Sequence, residues 1–122
     1  MNDAVGTKEP VNAPEFRSNF IDVNNMPWEP LERLKGERKV LFEDKATGMA
    51  TIMFRVPPGT VIPLHEHPEL EQTYVLEGSM VDHEGECTAG NFVWRPGGSK
   101  HIARCPNGAT FIAFFMKPSK RL

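Results

Sequence analysis

The sequence predicts an all-β fold in which short antiparallel strands form a sandwich or a barrel, and three observations support this. Eleven prolines and ten glycines occur in 122 residues, at fairly regular intervals that are typical of frequent turns. Strand-like segments recur between those turns at spacings of roughly ten residues. Amphipathic stretches longer than about two helical turns are missing. Short strands in this rhythm favour a β-sandwich or a barrel.

The predicted strands are segments in which β-branched, aromatic and other apolar side chains lie between turn residues. They are residues 39–43, 49–56, 61–67, 72–77, 79–82, 92–95, 101–105 and 109–116. Alternation is clearest where every second residue from Ala50 to Val56 is apolar. Residues 20–23 are a candidate first strand, and residues 31–34, whose pattern is ambiguous, are the one place where a helical turn would be compatible with the sequence.

The chain is long enough for one domain preceded by an arm. Residues 1–15 are mostly polar, contain two prolines and lack apolar periodicity, so we expect a flexible N-terminal arm. Residues 16–122 then form a single domain of ordinary size. Residues 111–116 are apolar on both faces of the last strand, so another sheet or another subunit should cover them. A homodimer is the simpler interpretation.

Composition excludes several classes of protein. The formal net charge is −2, and the Lys and Arg residues are scattered singly, whereas a nucleic-acid binder normally concentrates them. No segment approaches the ~18 apolar residues that span a bilayer, and residues 1–10 lack the apolar region of a secretion signal. We therefore expect a cytoplasmic protein without membrane association. Cys87 and Cys105 are too few for a disulfide framework and should remain thiols.

Three of the four histidines fall in two places that strand geometry can bring together. His65 and His67 project from the same face of a strand, and Glu71 keeps that parity after a short turn. His101 follows 34 residues after His67, just beyond a Pro-Gly-Gly turn. Imidazole and carboxylate groups are ligands for Fe(II), Mn(II), Ni(II) and Zn(II). His83 lies in a polar turn without such a partner, and we expect it to be exposed.

Glycines and a proline frame these residues at fixed spacings. In the first block, Gly59 and Gly78 bound the two histidines and the glutamate as Gly-x5-His-x-His-x3-Glu-x6-Gly. In the second block, the pattern Gly-x5-Pro-x-Gly-x2-His runs from Gly90 to His101. A linker of 11 residues separates the two blocks. The two blocks resemble the paired motifs of the cupin superfamily, also called RmlC-like. The resemblance covers about residues 48–116.

The cupin resemblance implies a double-stranded β-helix, or jelly-roll barrel, with residues 16–122 as a single cupin domain. It also implies one divalent metal ion held by His65, His67, Glu71 and His101. Fe(II) is the favoured ion, with Zn(II), Ni(II) or Mn(II) as alternatives. Glu71 is either the fourth ligand or a nearby catalytic base.

Within the superfamily the chain most resembles the ChrR-like cupins. Four segments carry this likeness: residues 28–31, 47–48, 71–78 and 95–101. The group includes the cupin domain of a zinc-binding anti-sigma factor and small acetylacetone (β-diketone) dioxygenases. The favoured function is therefore a non-heme Fe(II) dioxygenase that uses O₂ to cleave a small β-diketone or a related carbonyl compound.

Two other functions stay open at this point. One is a non-catalytic metal-binding, ligand-binding or sensor cupin of the ChrR type. The anti-sigma factor has an additional N-terminal helical domain, whereas about 20 residues precede the β region here, which disfavours that reading. The other is a sugar isomerase or epimerase, whose pocket would need more polar contacts than this chain offers.

Three further residues are expected to lie beside the metal ligands without being ligands. Thr73 continues the parity of Glu71, and Arg95 directly precedes the Pro-Gly-Gly turn. Cys105 stands where the second cupin motif often has Asn, and it is either a thiol near the site or, as we favour, a small core residue. Arg55 and Arg95 could bind an anionic substrate, although a solvated position at a strand end is the expected one.

The walls of the substrate pocket should be apolar and aromatic. The candidates are Met53, Phe54, Phe92, Trp94, Phe114 and Phe115, without a prediction of which ones face inward. Tyr74 and Leu76 have the opposite parity to Glu71, so we expect both to face away from the metal.

Overall fold

The computed structural model describes residues 9–122, and in this part of the chain the fold is almost entirely antiparallel β structure. The strands are β1 Glu29–Pro30, β2 Glu37–Asp44, β3 Met49–Val56, β4 Thr60–Glu66, β5 Glu71–Val81, β6 Glu86–Thr88, β7 Phe92–Arg95, β8 Lys100–Cys105, β9 Ala109–Phe115 and β10 Lys120–Arg121. Two short 3₁₀ turns, Pro14–Phe16 and Val23–Asn25, precede them. The all-β prediction is confirmed.

The strands form two halves of a curled sheet that share the long strand β5. The first half has the order β1-β2-β3-β9-β5, and β7 pairs with the other edge of β5 at Glu71 to Tyr74. In the second half, the end of β5 pairs with β6 and meets β8, which continues through β4 to β10. The inner faces of the two halves enclose the core and a cavity.

Gly78 lets β5 pass from one half to the other. Its φ of +74° lies in the left-handed region, which strains other residues. A Cβ atom at Gly78 would lie 2.0 Å from the carbonyl oxygen of Gly108. The same carbonyl accepts the backbone N–H of Ser79. The glycine that closes the first cupin motif is therefore required by close backbone approach as well as by conformation.

The core is a small cluster of inward-facing apolar side chains. Its buried members are Val56, Val75, Met80, Cys87, Ala103, Cys105, Ala109, Phe111 and Ala113. Both cysteines are free and buried in it, and burial raises the pKa of the Cys105 thiol to about 11. Cys105 thus has the surroundings of a small hydrophobic core residue.

Several local expectations differ from the structure. Residues 20–23 do not form a strand, because in the described chain no strand lies beside them to supply hydrogen bonds, and Val23–Asn25 turn instead. Residues 31–34 form bends rather than a helical turn. The two predicted strands 72–77 and 79–82 are one strand, β5, since pairing with β9 extends to Gly78 and pairing with β6 begins at Ser79.

The structure covers only part of the predicted N-terminal arm, whereas it covers all of the predicted domain. Of residues 1–15, the first eight lie outside the described residues, and residues 9–13 are exposed. The domain limits therefore stay a prediction. Within residues 9–122, no helix has the length and apolar character needed to cross a bilayer.

Candidate metal centre

Three histidine side chains converge at the cavity between the two halves of the sheet, and two of them, His65 and His101, line it. His65 on β4 lies directly opposite His101 on β8, and His67 follows β4 by one residue. The Nε2 atom of His101 lies 3.0 Å from that of His65 and 3.2 Å from that of His67. One ligand atom from each ring falls within 4.8 Å of the others.

Backbone pairing brings the two cupin motifs together at this point. The N–H of Gly98 donates to the carbonyl of His67 at 2.6 Å, and the N–H of His67 donates to the carbonyl of Ser99 at 2.9 Å. The ladder between β4 and β8 is irregular just before the first histidine, from Ile62 to His65. Pro63 lies in that gap and has no N–H to donate, and such irregularities commonly re-aim side chains near active sites.

Hydrogen bonds behind two of the rings fix which nitrogen carries the proton. The Nδ1 atom of His65 lies 2.8 Å from the carbonyl oxygen of Pro63, and that of His101 lies 2.9 Å from Oδ2 of Asp82. A carbonyl oxygen and a carboxylate oxygen only accept, so each Nδ1 must donate. When both rings are neutral, both Nε2 atoms carry a lone pair, and they face each other.

Two lone pairs 3.0 Å apart repel unless a cation lies between them. Nitrogen ligands about 2.1 Å from one metal ion and at right angles to each other are about 3.0 Å apart. Burial lowers the pKa of His67 to about 3 and that of His101 to about 4, so both rings are neutral at neutral pH, as metal ligation requires. The three rings therefore fit a divalent metal ion in geometry, and His67 and His101 also fit it in protonation.

Glu71 lies behind His67 rather than among the converging nitrogens. Its Oε2 is 3.6 Å from Nδ1 of His67, and Ser119 Oγ is 3.4 Å from the same Nδ1. Thr73 donates to Oε1 of Glu71 at 3.3 Å. Burial raises the pKa of Glu71 to about 7, although Arg95 and Thr73 act in the opposite direction. Its ligation of the metal stays a prediction.

Asp82 is a site residue that the sequence analysis missed. Its side chain is 3% exposed, and its Oδ2 accepts from Nη1 of Arg95 at 2.5 Å as well as from His101. Its Oδ1 accepts the backbone N–H groups of Glu84 and Gly85. Burial raises its pKa, but these hydrogen bonds outweigh burial and leave the pKa at about 2. The available signal was parity, because Asp82 lies two residues after the buried Met80.

The remaining predicted neighbours have mixed outcomes. Arg95 is buried, so its expected solvated position was wrong, because the alternation of β7 turns it inward. Arg55 is exposed and pairs with Glu37 at 3.0 Å. His83 is exposed, as predicted. Cys105 belongs to the core cluster and is not among the residues that line the cavity.

A cavity of about 920 Å³ opens beside the histidines. Its inner wall is apolar and includes Ile52, Phe54, Val56, Ile62, Met80, Ala103, Phe111 and Phe115. Its outer part has charged groups of both signs: Glu29, Glu32, Arg33, Arg38, Glu43, Asp44, Lys45 and Arg121. Of the six predicted wall residues, Phe54 and Phe115 line it. Phe92, Trp94 and Phe114 are exposed and, like Met53, are not part of its lining.

Solved structures with this fold include two related to dioxygenases and one regulator. A candidate acetylacetone dioxygenase from Methylibium petroleiphilum PM1 superposes with a TM-score of 0.82 at 16% identity, over 92% of this chain and 85% of that chain. An acetylacetone dioxygenase from Acinetobacter johnsonii has a TM-score of 0.78 at 16% identity, over 92% and 83%. The complex of Rhodobacter sphaeroides SigE with the anti-sigma ChrR has a TM-score of 0.65 at 20% identity, over 76% and 51%.

At these identities the structural likeness concerns the fold. No curated protein sequence matches the chain. The family model described as the ChrR Cupin-like domain matches residues 17–120. Since this match spans both glycine-bounded motifs and nearly all of the β structure, the chain belongs to the ChrR cupin-like family.

Proposed function

We propose that the protein is a metal-dependent dioxygenase that cleaves a small β-diketone or a related carbonyl compound. Convergence of His65, His67 and His101 beside an apolar cavity is the observation that carries this proposal. The three rings would hold one Fe(II) ion and leave coordination positions open on the cavity side. Fold similarity to acetylacetone dioxygenases supports the choice of reaction. The bound Fe(II) would supply the redox chemistry that activates O₂.

In this proposal Glu71 serves as a base. The carboxylate lines the cavity, and its pKa of about 7 suits proton transfer at neutral pH. It would take a proton from the carbon between the two carbonyl groups and so generate the enolate that reacts with O₂. Its contact with the Nδ1 side of His67, away from the three Nε2 atoms, favours this role over ligation.

The cavity favours neutral substrates with short apolar substituents. Its inner wall offers aliphatic and phenyl groups, and the charges near its mouth are balanced in sign. Arg95 is tied to Asp82 and is not available to a substrate carboxylate. A sugar substrate for an isomerase or epimerase would leave its hydroxyl groups unpaired against this wall. The diketone class therefore fits better.

Anaerobic loading with Fe(II), followed by O₂-uptake measurements over diketones and hydroxyketones, tests the reaction. We expect uptake with at least one diketone, one O₂ consumed per carbon–carbon bond cleaved, and carboxylic acid among the products. The matched control is the same protein loaded with Zn(II), which is redox-inert and should give no uptake. Full Fe(II) occupancy without uptake on any substrate would overturn the dioxygenase proposal.

A non-catalytic binding or sensing role is the second candidate, and the family match to the ChrR cupin-like domain supports it. In that case the site would hold its metal and a small ligand without turnover. Zn(II) would be as suitable as Fe(II) there. The O₂-uptake experiment separates the two candidates, since only the enzyme consumes O₂.

We also propose that a second copy of the chain is a partner, through the outer apolar face. We define this face as the exposed side chains of Phe42, Tyr74, Leu76, Phe92, Trp94 and Phe114. They lie on neighbouring strands of one half of the sheet, where Tyr74 pairs with Phe92 and Gln72 lies between Trp94 and Phe114. Trp94 is 61% exposed.

Charge favours a second copy as the occupant, and the exposed aromatic area supplies more than half of what a stable interface buries. Five aromatic side chains that each expose roughly half of their surface present about 500 Å², against the ~800 Å² per partner of a stable interface. No member of the face is charged, so a twofold axis through it would bring no like charges together.

Unpaired buried thiols, Cys87 and Cys105, suit a reducing compartment, so we propose a cytoplasmic location.

Light scattering on the purified protein tests this partner. We expect a mass near twice 13.7 kDa for the natural chain and near 13.7 kDa for Trp94→Glu. Phe16→Glu is the matched control, because Phe16 is also exposed but lies outside the outer apolar face, and it should stay dimeric. A natural chain that is monomeric at tens of micromolar, or a dimeric Trp94→Glu variant, would rule out this interface.

A further inference from the structure

We infer that a buried chain of charged groups behind the site positions two of its three histidines and thereby sets its affinity for metal. The inference rests on the proposed three-histidine metal site. We call this chain the charge relay: it runs from His101 through Asp82, Arg95 and Glu71 to His67. None of its three middle members belongs to the converging group of ring nitrogens.

The relay begins at Asp82, which is bonded on all sides. One oxygen, Oδ2, accepts from both His101 and Arg95, and the other accepts two backbone N–H groups. With every bond made and the side chain buried, Asp82 has one orientation available. That orientation holds Nδ1 of His101 as a donor and aims its Nε2 into the cavity.

Arg95 links the two acidic groups. Its Nη1 donates to Asp82, while its Nε lies 3.9 Å from Oε1 of Glu71. That Nε is buried and has no hydrogen-bond partner in the described chain. A buried guanidinium with an unused donor, placed between two buried carboxyl groups, balances both of them and ties their positions together.

Glu71 completes the relay at His67, and His65 stays outside it. Oε2 of Glu71 faces Nδ1 of His67 at 3.6 Å. His65, in contrast, bonds only the carbonyl of Pro63 on its Nδ1 side and is less buried. Charged side chains therefore position His67 and His101, whereas a backbone carbonyl positions His65. Substitutions of Asp82, Arg95 or Glu71 should act on the metal through His67 and His101.

Carboxylates behind metal-binding imidazoles typically change metal affinity by about 10–100-fold when they are removed. Asp82→Asn offers one acceptor oxygen, which can face either the Arg95 and His101 donors or the two backbone N–H groups, so its NH₂ group must oppose the donors on the other side. We therefore expect this change to weaken metal binding about 10–100-fold. We expect Glu71→Gln to weaken it less, because the Glu71 contacts are longer. The double variant should lose less than the product of the two single losses, since both act through Arg95.

The experiment is a titration of metal-free protein with Co(II) alone, in competition with a chelator, without substrate or O₂. Glu37→Gln is the matched control, because it neutralises a carboxylate paired with an exposed arginine, Arg55, and it should bind like the natural chain. Nitrogen NMR of the imidazole rings supplies a second readout. His101 should be the Nδ1–H tautomer in the natural chain and a mixture in Asp82→Asn.

The outcomes separate the relay from the proposed function. Natural protein that binds no Co(II) would overturn the three-histidine site and the relay together. Natural protein that binds Co(II), with Asp82→Asn within twofold of it and His101 in an unchanged tautomer, would overturn the relay alone. Should Asp82→Asn fail to fold, Glu71→Gln and Arg95→Lys decide instead. Affinity unchanged in both of these would overturn the relay, and weakened affinity in both would support it.

Discussion

The two faces of strand β5 differ in chemistry, and next to the metal ligands each shows the reverse of what simple burial predicts. The inward face carries Glu71 and Thr73, both polar and both buried. The outward face carries Tyr74 and Leu76, both largely apolar and about 40% and 39% exposed. The neighbouring strands follow the same division, with Arg95 buried and Trp94 exposed on β7.

Each reversal costs folding free energy unless something else offsets it. Buried polar groups are tolerated when they are bonded, and a carboxylate, an arginine and histidines bonded to one another indicate a site for a charged ligand. Contiguous exposed aromatic groups indicate a contact surface. One strand with period-two alternation would therefore serve the proposed metal site on one side and the proposed dimer interface on the other.

The largest effect should follow from removing an inward ligand. We expect His101→Ala to abolish stoichiometric binding of Fe(II) or Zn(II), because two remaining imidazoles cannot hold the ion. His83→Ala is the control, since His83 is exposed and should leave occupancy unchanged. Metal analysis after dialysis measures both. A His101→Ala variant with full occupancy would contradict the site.

Adjacent phenylalanines on β9 compare the two faces directly. Phe115 lines the cavity, whereas Phe114 points outward. We expect Phe115→Ala to lower the free energy of unfolding by about 3 kcal/mol and to leave the mass in solution unchanged. Phe114→Ala should lower it by under about 1 kcal/mol and weaken dimerisation. Urea unfolding measures the free energy of unfolding, and light scattering at low protein concentration measures dimerisation. If the two variants had equal effects on both quantities, the distinction between the faces would be wrong.

The inward histidines should make the metal-free protein sensitive to acid. The pKa values of His67 and His101 lie near 3 and 4 in the fold against 6.5 ordinarily, so the unfolded chain binds more protons below pH 6.5. Glu71 acts oppositely, since its raised pKa favours the folded state at lower pH. The two histidines together outweigh Glu71. The free energy of unfolding should therefore fall by about 1 kcal/mol for each pH unit as the pH is lowered from 6.5 to 4.5.

Urea unfolding of metal-free protein at several pH values in that window measures this slope. His83→Ala is the control, since it removes an exposed histidine and leaves His67 and His101 in place. A stability that stays flat or rises towards pH 4.5 would show that the inward rings are not held neutral.

The smallest effect concerns a single hydroxyl group on the inward face. Thr73→Val keeps the shape but removes the donor to Oε1 of Glu71. The pKa of Glu71 should rise further, because the hydrogen bond from Thr73 lowers it, and stability should change by about 1 kcal/mol or less. Carbon NMR of the Glu71 carboxyl group measures this pKa. An unchanged value would mean that the hydrogen bond is not made in solution.

Much of the fold was predictable because strand alternation and turn residues are local signals. The strands from Lys39 to Phe115 lie close to the predicted segments, except β6 (Glu86–Thr88), which was not predicted, and the cupin motifs account for most of the turns between them. Continuity of β5 through Gly78 was not predictable, because it depends on the approach of Gly108 from 30 residues away. Residues 20–23 have strand composition but no neighbouring strand, which local pattern cannot reveal.

The histidines of the site were predictable from spacing, whereas the groups behind them were not. Asp82 lies next to an exposed polar turn, and its partners Arg95 and His101 are 13 and 19 residues away. Arg95 resembles any arginine at a strand end until the sheet turns it inward. To predict a buried ion pair, one must know which residue distant in the sequence lies beside the charged group in the fold. Only the folded structure gives that information.

The hydrogen bonds that join His67 to Gly98 and Ser99 also bear on how the chain folds. The three histidines that would hold the metal come from positions 65, 67 and 101. The set of ligands is therefore incomplete until β4 and β8, which are far apart in the sequence, have paired. Closing such a loop is a slow, late step in a β-rich chain of high contact order. An ion bound only after that step would slow unfolding and leave the refolding rate unchanged. The ion would act as a latch on a finished barrel rather than as a nucleus for building it.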